Sequence, residues 1–166
     1  TLDGQLISTL DSVQANATTG PISATVNAQT TASVSSLAGS VTGSVTTRTG
    51  AATVSAGGQV TGSVTTGGNA DVTAVVGISS SSGSIVAGGD ASVRTLGSLG
   101  TSVSAGANAF VVAGQSIDAS ISANLDVVVV SRTGSITDDV TSNLASVQAF
   151  AMADVSGDVI AIRNAE

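Results

Sequence analysis

Aliphatic residues recur along the chain with a step of 19 residues. One such column starts at Ile22 and a second at Val26, and both are aliphatic except in the two central repeats. The columns read Ile22, Val41, Val60, Ser79, Ser98, Ile117, Ile136 and Val155, and Val26, Val45, Val64, Gly83, Ser102, Ile121, Val140 and Val159. About eight and a half repeats fit the chain, so the repeat is the unit of the predicted fold.

Within one repeat, apolar or small residues alternate with polar ones, as at Val60, Gly62 and Val64, and the alternation resumes at Ala70 after a Gly-Gly-Asn turn. This pattern predicts a strand, a tight turn and a second strand. A repeat can bury its apolar row only by stacking on the next one, at a strand spacing of about 4.8 Å. We therefore predict an all-β fold, a single-stranded parallel β-helix (β-solenoid) with about 19 residues per coil and a length on the order of 40 Å.

A third inward column lies between the two aliphatic ones and holds mostly small residues, which predicts a thin interior. It reads Ala24, Gly43, Gly62, Ser81, Gly100, Ala119, Asp138 and Gly157. Asp138 would bring a carboxylate into this column, where a buried unpaired charge costs several kcal/mol. We therefore expect the register to slip at Asp138 or the last coils to open.

The repeats indicate one domain over 1–166, with repeats over 21–160 and a tail over 161–166. The pattern weakens toward both ends, so 1–20 is either an N-terminal cap or a further coil. Apolar residues near both ends also fit helical spacing, but Ile7 and Val140 fall in the 19-residue register and favour strands. The chain opens at Thr1 without a basic-then-apolar leader, as expected of a processed or excised fragment.

The residue inventory removes most catalytic chemistry. The chain has no His, Cys, Trp or Tyr, two Phe, and four cations that are all Arg. Nucleophilic triads, thiolate or imidazole zinc sites and reactive lysines all need residues that it lacks. We therefore expect no enzyme and no cofactor. An enzyme would need Asp118, Asp126, Asp138 or Asp139 in a cleft with a perturbed pKa.

Charge and hydropathy limit the partners. The formal net charge of −7 repels nucleic acid and anionic lipid. The longest apolar run, residues 127–130, is far shorter than a membrane span of about 18 residues. We therefore expect neither a nucleic-acid partner nor a membrane-spanning segment.

The outward positions of the first strand form rows of hydroxyl groups. These rows include Ser80 and Ser82, and their most regular part is Thr42, Ser44, Thr46, Thr61, Ser63 and Thr65. Such a face could match the lattice of ice or an ordered polysaccharide. The simpler interpretation is that Ser and Thr are the usual solvated residues of a β-solenoid.

Two acidic groupings could supply oxygen ligands to Ca²⁺, namely Asp138 with Asp139 and Asp154 with Asp158. The chain has no Asp-x-Asp-x-Asp loop and no calcium-binding nonapeptide, so solvated turn charges explain these groupings better. No regular ladder of Asn or Gln is visible, which argues against an amyloid-type matrix fibre.

The 19-residue step resembles the haemagglutinin-type repeats of filamentous-haemagglutinin-like bacterial exoproteins. The resemblance covers most of 20–160 and is clearest in GSIVAGGDASV (83–93) and GNADVT (68–73). It implies a right-handed parallel β-helix that is exported to the cell surface. Such proteins serve as adhesins or as stalks that present a tip.

We therefore expect a structural and adhesive segment of an extracellular bacterial surface fibre, a rigid non-catalytic rod. Its partners would be neighbouring fibre segments, a glycan or a host surface. A first alternative is a filament subunit that stacks end to end on itself, because an uncapped coil exposes a full row of backbone donors and acceptors. The acidic net charge would oppose lateral clumping but permit this axial stacking. A second alternative is an ice- or glycan-binding module that uses the Ser/Thr face.

Overall fold

The computed structural model describes the backbone of residues 1–166 and every side chain except those of residues 80–82. All regular structure is β, and the strands stack as parallel coils of about 19 residues, about 8 turns in all, so the chain is a β-solenoid. Within the described chain, no helix is long and apolar enough to span a membrane.

Two parallel sheets run the length of the molecule. The strands of the ten-stranded sheet A are β1 (Gln5–Ser8), β3 (Thr25–Ala28), β5 (Val45–Thr47), β7 (Gln59–Val60), β8 (Val64–Thr66), β10 (Gly77–Ala87), β12 (Leu99–Ala105), β14 (Ile121–Ala123), β16 (Val140–Ser142) and β18 (Val159–Ala161). The strands of the eight-stranded sheet B are β2 (Val13–Ala17), β4 (Ala32–Ser36), β6 (Ala52–Ala56), β9 (Ala70–Ala74), β11 (Ala91–Thr95), β13 (Ala109–Ala113), β15 (Val127–Ser131) and β17 (Val147–Ala151).

Each coil contributes one strand to each sheet, apart from coil 4, which also holds β7, and coil 9, which is represented in the sheets by β18 alone. Coils 1 to 8 end with β2, β4, β6, β9, β11, β13, β15 and β17 in that order. A third row of pairings joins the coils ahead of sheet A. It runs through Leu2, Ile22, Val41, Val60, Ile78, Leu99, Ile117, Ile136 and Val155.

Both aliphatic columns continue through the central coils, where the constant step of 19 predicted Ser79, Ser98, Gly83 and Ser102. The residues that occupy the columns there are Ile78, Leu99, Ile85 and Val103. Val60 pairs with Ile78, one position short of the step. Ser79 then pairs with Gly100, and Ser84 pairs with Ser102. From the first pair to the second, β10 advances by five residues and β12 by two, so coil 5 holds three extra residues. The core keeps its aliphatic residues because the coils vary in length.

Among the described side chains, the small inward column differs from the prediction in coil 6. In coil 6 the buried residue is Thr101, whereas Gly100 is exposed; the predicted Ser81 lies outside the described side chains. Both outcomes expected at Asp138 are wrong. The register does not slip, because Ile136 pairs with Ile117 and Val155, and the last coils stay stacked, because β16 pairs with β18. Asp138 is only half-buried, so the coil need not force its carboxylate into the apolar core.

The core is a stack of Val, Ile, Leu and Ala side chains, closed at its corners by buried hydroxyl groups. Ser131 Oγ donates to the carbonyl of Gln115 at 2.8 Å, and Ser142 Oγ donates to that of Leu125 at 2.6 Å. These bonds pair the buried hydroxyl groups with carbonyls of the corners. They explain why Ser and Thr can replace aliphatic residues at inward strand ends.

The two terminal regions form coils, so the helical interpretation of the ends is wrong. Residues 1–20, predicted as a cap or a coil, contain β1 and β2, which pair with β3 and β4. Within 161–166, Ala165 pairs with Val147. Inward residues at both ends remain partly exposed, as shown by Leu6 at one end and by Val155, 42% exposed, at the other.

Candidate interaction surfaces

The structure brings the six predicted residues of the Ser/Thr face together on coils 3 and 4. Thr46 pairs with Thr65 in adjacent strands of sheet A. Thr42 and Thr61 follow the paired residues Val41 and Val60, so they also lie side by side. The face is made of three two-membered columns, Thr42 with Thr61, Ser44 with Ser63, and Thr46 with Thr65, and every member is exposed or half-buried.

The regular part of this face ends with coil 4. In coil 5 the outward neighbour of Thr65 is Val86, which is 37% exposed and carries no hydroxyl group. The predicted row members Ser80 and Ser82 lie outside the described side chains. In coils 6 and 7 serines continue the columns of Ser44 and Thr46, whereas Gly100 and Asp118 occupy the column of Thr42. In coil 8, Asp139 occupies the column of Ser44. Binding of ice or a glycan by this face stays a prediction.

A ladder of Asn and Asp side chains runs along the corner between sheets A and B. In this corner ladder each side-chain Oδ1 accepts a backbone N–H from the next coil: Asn69 from Asp90 at 2.9 Å, Asp90 from Asn108 at 3.0 Å, Asn108 from Asp126 at 3.1 Å and Asp126 from Ser146 at 3.1 Å. It is a mixed Asn/Asp ladder of side-chain-to-backbone bonds, so it differs from the regular Asn or Gln ladder whose absence argued against an amyloid-type fibre. Its members are 21, 18 and 18 positions apart, as their residue numbers show, and a constant step of 19 hides them.

Three of the carboxylates singled out in the sequence, those of Asp118, Asp126 and Asp139, serve as hydrogen-bond acceptors between coils. Asp139 Oδ1 accepts the N–H of Asp158 at 3.0 Å, and Asp118 Oδ1 accepts the hydroxyl of Thr137 at 2.8 Å. Among the described residues, no group of three or more acidic side chains is placed to hold a metal ion. The interpretation of these residues as turn charges is consistent with these bonds, and Ca²⁺ binding stays an untested prediction.

An apolar area on the outer face of sheet B was missed by the sequence reasoning. We call Phe110, Val112, Val128, Val130 and Phe150 the apolar patch; these residues occupy the outward positions of β13 and β15 and one outward position of β17. Both aromatic residues of the chain belong to it. The signal was present in the Val run 127–130, because alternate residues of a strand face opposite sides and half of that run must point outward.

A groove of about 340 Å³ borders the apolar patch. Its lining combines apolar residues, among them Leu96 and Val112, with the cations Arg94 and Arg132. The guanidinium of Arg94 lies over the ring of Phe110, 5.2 Å from its centroid. This side of the molecule therefore joins apolar surface with half of the chain's four cations.

The comparisons with known proteins name no relative. No protein-family model matches the chain, no curated protein matches it, and no solved structure matches its fold. The resemblance to filamentous-haemagglutinin-like exoproteins therefore stays a prediction from the repeats. The assignment to the β-solenoid class rests on the stacked coils themselves.

Proposed function

We propose that the chain is a rigid structural segment of an extracellular bacterial surface fibre and that it is not an enzyme. The observation that carries this proposal is the continuity of the stack: sheet A is unbroken from β1 to β18, and sheet B from β2 to β17. Each coil is joined to its neighbours by backbone hydrogen bonds and by a shared aliphatic core. Such a stack resists bending because its coils cannot rotate independently.

The residue inventory supports the non-catalytic part of the proposal. The chain lacks the usual nucleophiles and bases other than carboxylates and hydroxyls. Asp118 and Asp126 are already used as acceptors that join successive coils. The same composition suits a protein that is exposed to secreted proteases. Trypsin-like enzymes cleave after Arg or Lys, and the chain offers them four Arg and no Lys.

End-to-end stacking of copies is the second candidate function. The observation that favours it is the partial exposure of inward residues at both ends, including Leu2 and Leu6 in coil 1 and Val155 and Val159 in coil 9. These side chains continue the core columns, so a further coil would cover them. A coil of another copy fits this position as well as one of the same molecule.

Negative-stain electron microscopy with sedimentation velocity tests both candidates on the 166-residue chain. Rods of about 40 Å that do not join end to end support the fibre-segment role. Filaments of uniform width support axial polymerisation. Globular particles without a rod shape contradict both.

A matched pair of variants in β18 identifies axial contacts. Val159→Lys puts a charge on an inward position of the last strand, whereas Ile160→Lys changes its outward neighbour, which is 51% exposed. If copies stack axially, the first variant abolishes filaments and the second leaves them intact. Filaments that survive Val159→Lys contradict axial stacking through this end.

A further inference from the structure

The apolar patch lies on one stretch of the outer face of sheet B, in coils 6 to 8. Phe110 is 38% exposed and Phe150 is 52% exposed. Beside them, at the following corner of the coils, Leu96 is 66% exposed and Met152 is 78% exposed. The valines of the patch are half-buried by their neighbours. Contiguous apolar surface of this kind on a soluble protein marks an interaction site.

The fold does not require apolar residues at these outward positions. The equivalent positions in coils 2 and 3 hold Ser33, Ser35, Thr53 and Ser55 in strands of the same length and pairing. Since the same sheet forms with hydroxyl side chains outside, stability of the coil does not explain the aromatic and aliphatic residues. A partner that covers them does.

We propose that the apolar patch docks a second copy of this chain, with two sheets B packed face to face and the rods antiparallel about a two-fold axis between coils 6 and 7. This inference does not depend on the proposed function. In this register coil 6 of one copy faces coil 7 of the other, and coil 5 faces coil 8. Coils 1 to 3, whose outer sheet B face is polar, stay outside the contact.

The register makes the opposed side chains complementary. Phe110 faces Val128 of the partner copy, and Val112 faces Val130 of the partner copy. Each set repeats by symmetry, so the centre of the contact is entirely apolar, as in packed sheets about 10 Å apart.

The flanking positions also match in this register. Arg94 faces Phe150 of the partner copy, an arrangement that adds a cation–π contact. Leu96 faces Met152 of the partner copy, which removes the two most exposed of these apolar side chains from water. Arg132 faces Gly114 of the partner copy, where no side chain blocks it.

Charge and area set the strength of the contact. The overlap of four coils by one five-residue strand measures roughly 19 by 17 Å. This overlap is roughly 320 Å² on each copy, which is below the total of about 1,000 Å² that a stable complex buries. We therefore expect a weak, transient dimer with a dissociation constant on the order of 10–100 μM. The net charge of −7 per copy opposes association at long range; the two cations beside the patch reduce this repulsion locally.

Sedimentation velocity from about 1 to 300 μM tests the association. We expect a reversible monomer–dimer equilibrium that Phe110→Ser/Phe150→Ser weakens by about 100-fold. Leu37→Ser, at an apolar site in the corner of coil 2 that is 73% exposed and lies outside the contact, is the control and should leave the equilibrium unchanged. A chain that stays monomeric over this range, or equal effects of the two variants, overturns the proposal.

Cross-linking tests the antiparallel register, since the chain has no Cys of its own. Ser92→Cys and Gln148→Cys face each other across the two copies, whereas each lies about 14 Å along the axis from its own symmetry mate. A bis-maleimide of about 8 Å, chosen to span the sheet separation of about 10 Å with the side chains, should link the mixed variants. It should not link either variant to itself. Efficient linking of either variant alone overturns the register. In both the sedimentation and the cross-linking experiments all chains also carry Val159→Lys, so that axial stacking does not contribute.

Discussion

Coils 3 and 4 differ from coils 6 and 7 on both sides of the chain, although every sheet B strand in them has five residues. Inside, the small column holds Gly43 and Gly62 in the first pair and Thr101 and Ala119 in the second. Coils 3 and 4 therefore approach each other closely at Gly43 and Gly62, where a Cβ would meet the backbone of the preceding coil.

The outer face of sheet B is polar in coil 3 and apolar in coil 6. Coil 3 presents Thr53 and Ser55 to solvent, whereas coil 6 presents Phe110 and Val112. Packing against the adjacent coils constrains the inward positions, which stay small or aliphatic throughout. Outward side chains contact solvent or a partner. A change there from hydroxyl to aromatic side chains therefore indicates a change in what contacts that surface.

The largest expected effect comes from filling the close approach between coils 3 and 4. A Cβ on Gly62 would clash with the carbonyl oxygen of Gly43, so Gly62→Ala must push coils 3 and 4 apart. We expect the free energy of unfolding, measured in urea, to fall by about 3 kcal/mol.

Gly100→Ala is the control at an exposed, outward glycine of β12. Its Cβ would meet nothing closer than Ser79 Cβ at 3.9 Å, and alanine suits a strand better than glycine by about 0.5 kcal/mol. Equal losses in the two variants would show that Gly62→Ala does not act through the close approach of Gly43.

A smaller effect is expected from the corner ladder, which coils 4 to 8 have and coil 3 lacks. Asn108→Ala removes the acceptor of the Asp126 N–H and the donor of a 2.9 Å bond to Asp90. We expect a loss of about 1 kcal/mol in urea unfolding. Ala51→Asn, which adds a ladder member in coil 3 before Asn69, should raise stability by a few tenths of a kcal/mol, of the order of one exposed hydrogen bond. A ladder without energetic value would leave both variants at wild-type stability.

The smallest effect concerns the outer face alone. Arg94→Gln removes the guanidinium over Phe110, and we expect a loss of about 0.5 kcal/mol, as for an exposed cation–π pair. A double-mutant cycle with Phe110→Leu, measured by urea unfolding at a concentration where the chain is monomeric, isolates this term. Arg48→Gln, in the corner after a sheet A strand, is the control. If the effects of the two substitutions were additive, Arg94 and Phe110 would have no measurable interaction free energy, and this pair would not distinguish the two regions.

The coil length, the all-β class and the parallel stacking could all be predicted from the sequence, because stacked coils must repeat their aliphatic residues at nearly constant intervals. The Ser/Thr face could be predicted for the same reason, since Thr46 and Thr65 sit where coils 3 and 4 keep the 19-residue step. Prediction failed where coils change length. The columns through Ile78 and Ile85 and the ladder from Asn69 to Asp90 were hidden there.

The apolar patch was missed for a different reason. Phe110 and Val128 are adjacent only after the chain has coiled, and a run of valines in sequence does not state which members point outward. The alternation of a strand decides this once its ends are known. Strand ends are set by turns, which are the least regular part of these repeats.

The three extra residues of coil 5 are absorbed within that coil, since β12 and β14 resume their aligned pairing immediately afterwards. Local length changes therefore do not propagate, and neither would the gain or loss of a whole coil. Tandem duplication or deletion of one repeat would lengthen or shorten the molecule by about 4.8 Å while preserving its cross-section. Evolution can adjust the reach of such a chain in uniform steps without redesigning its core.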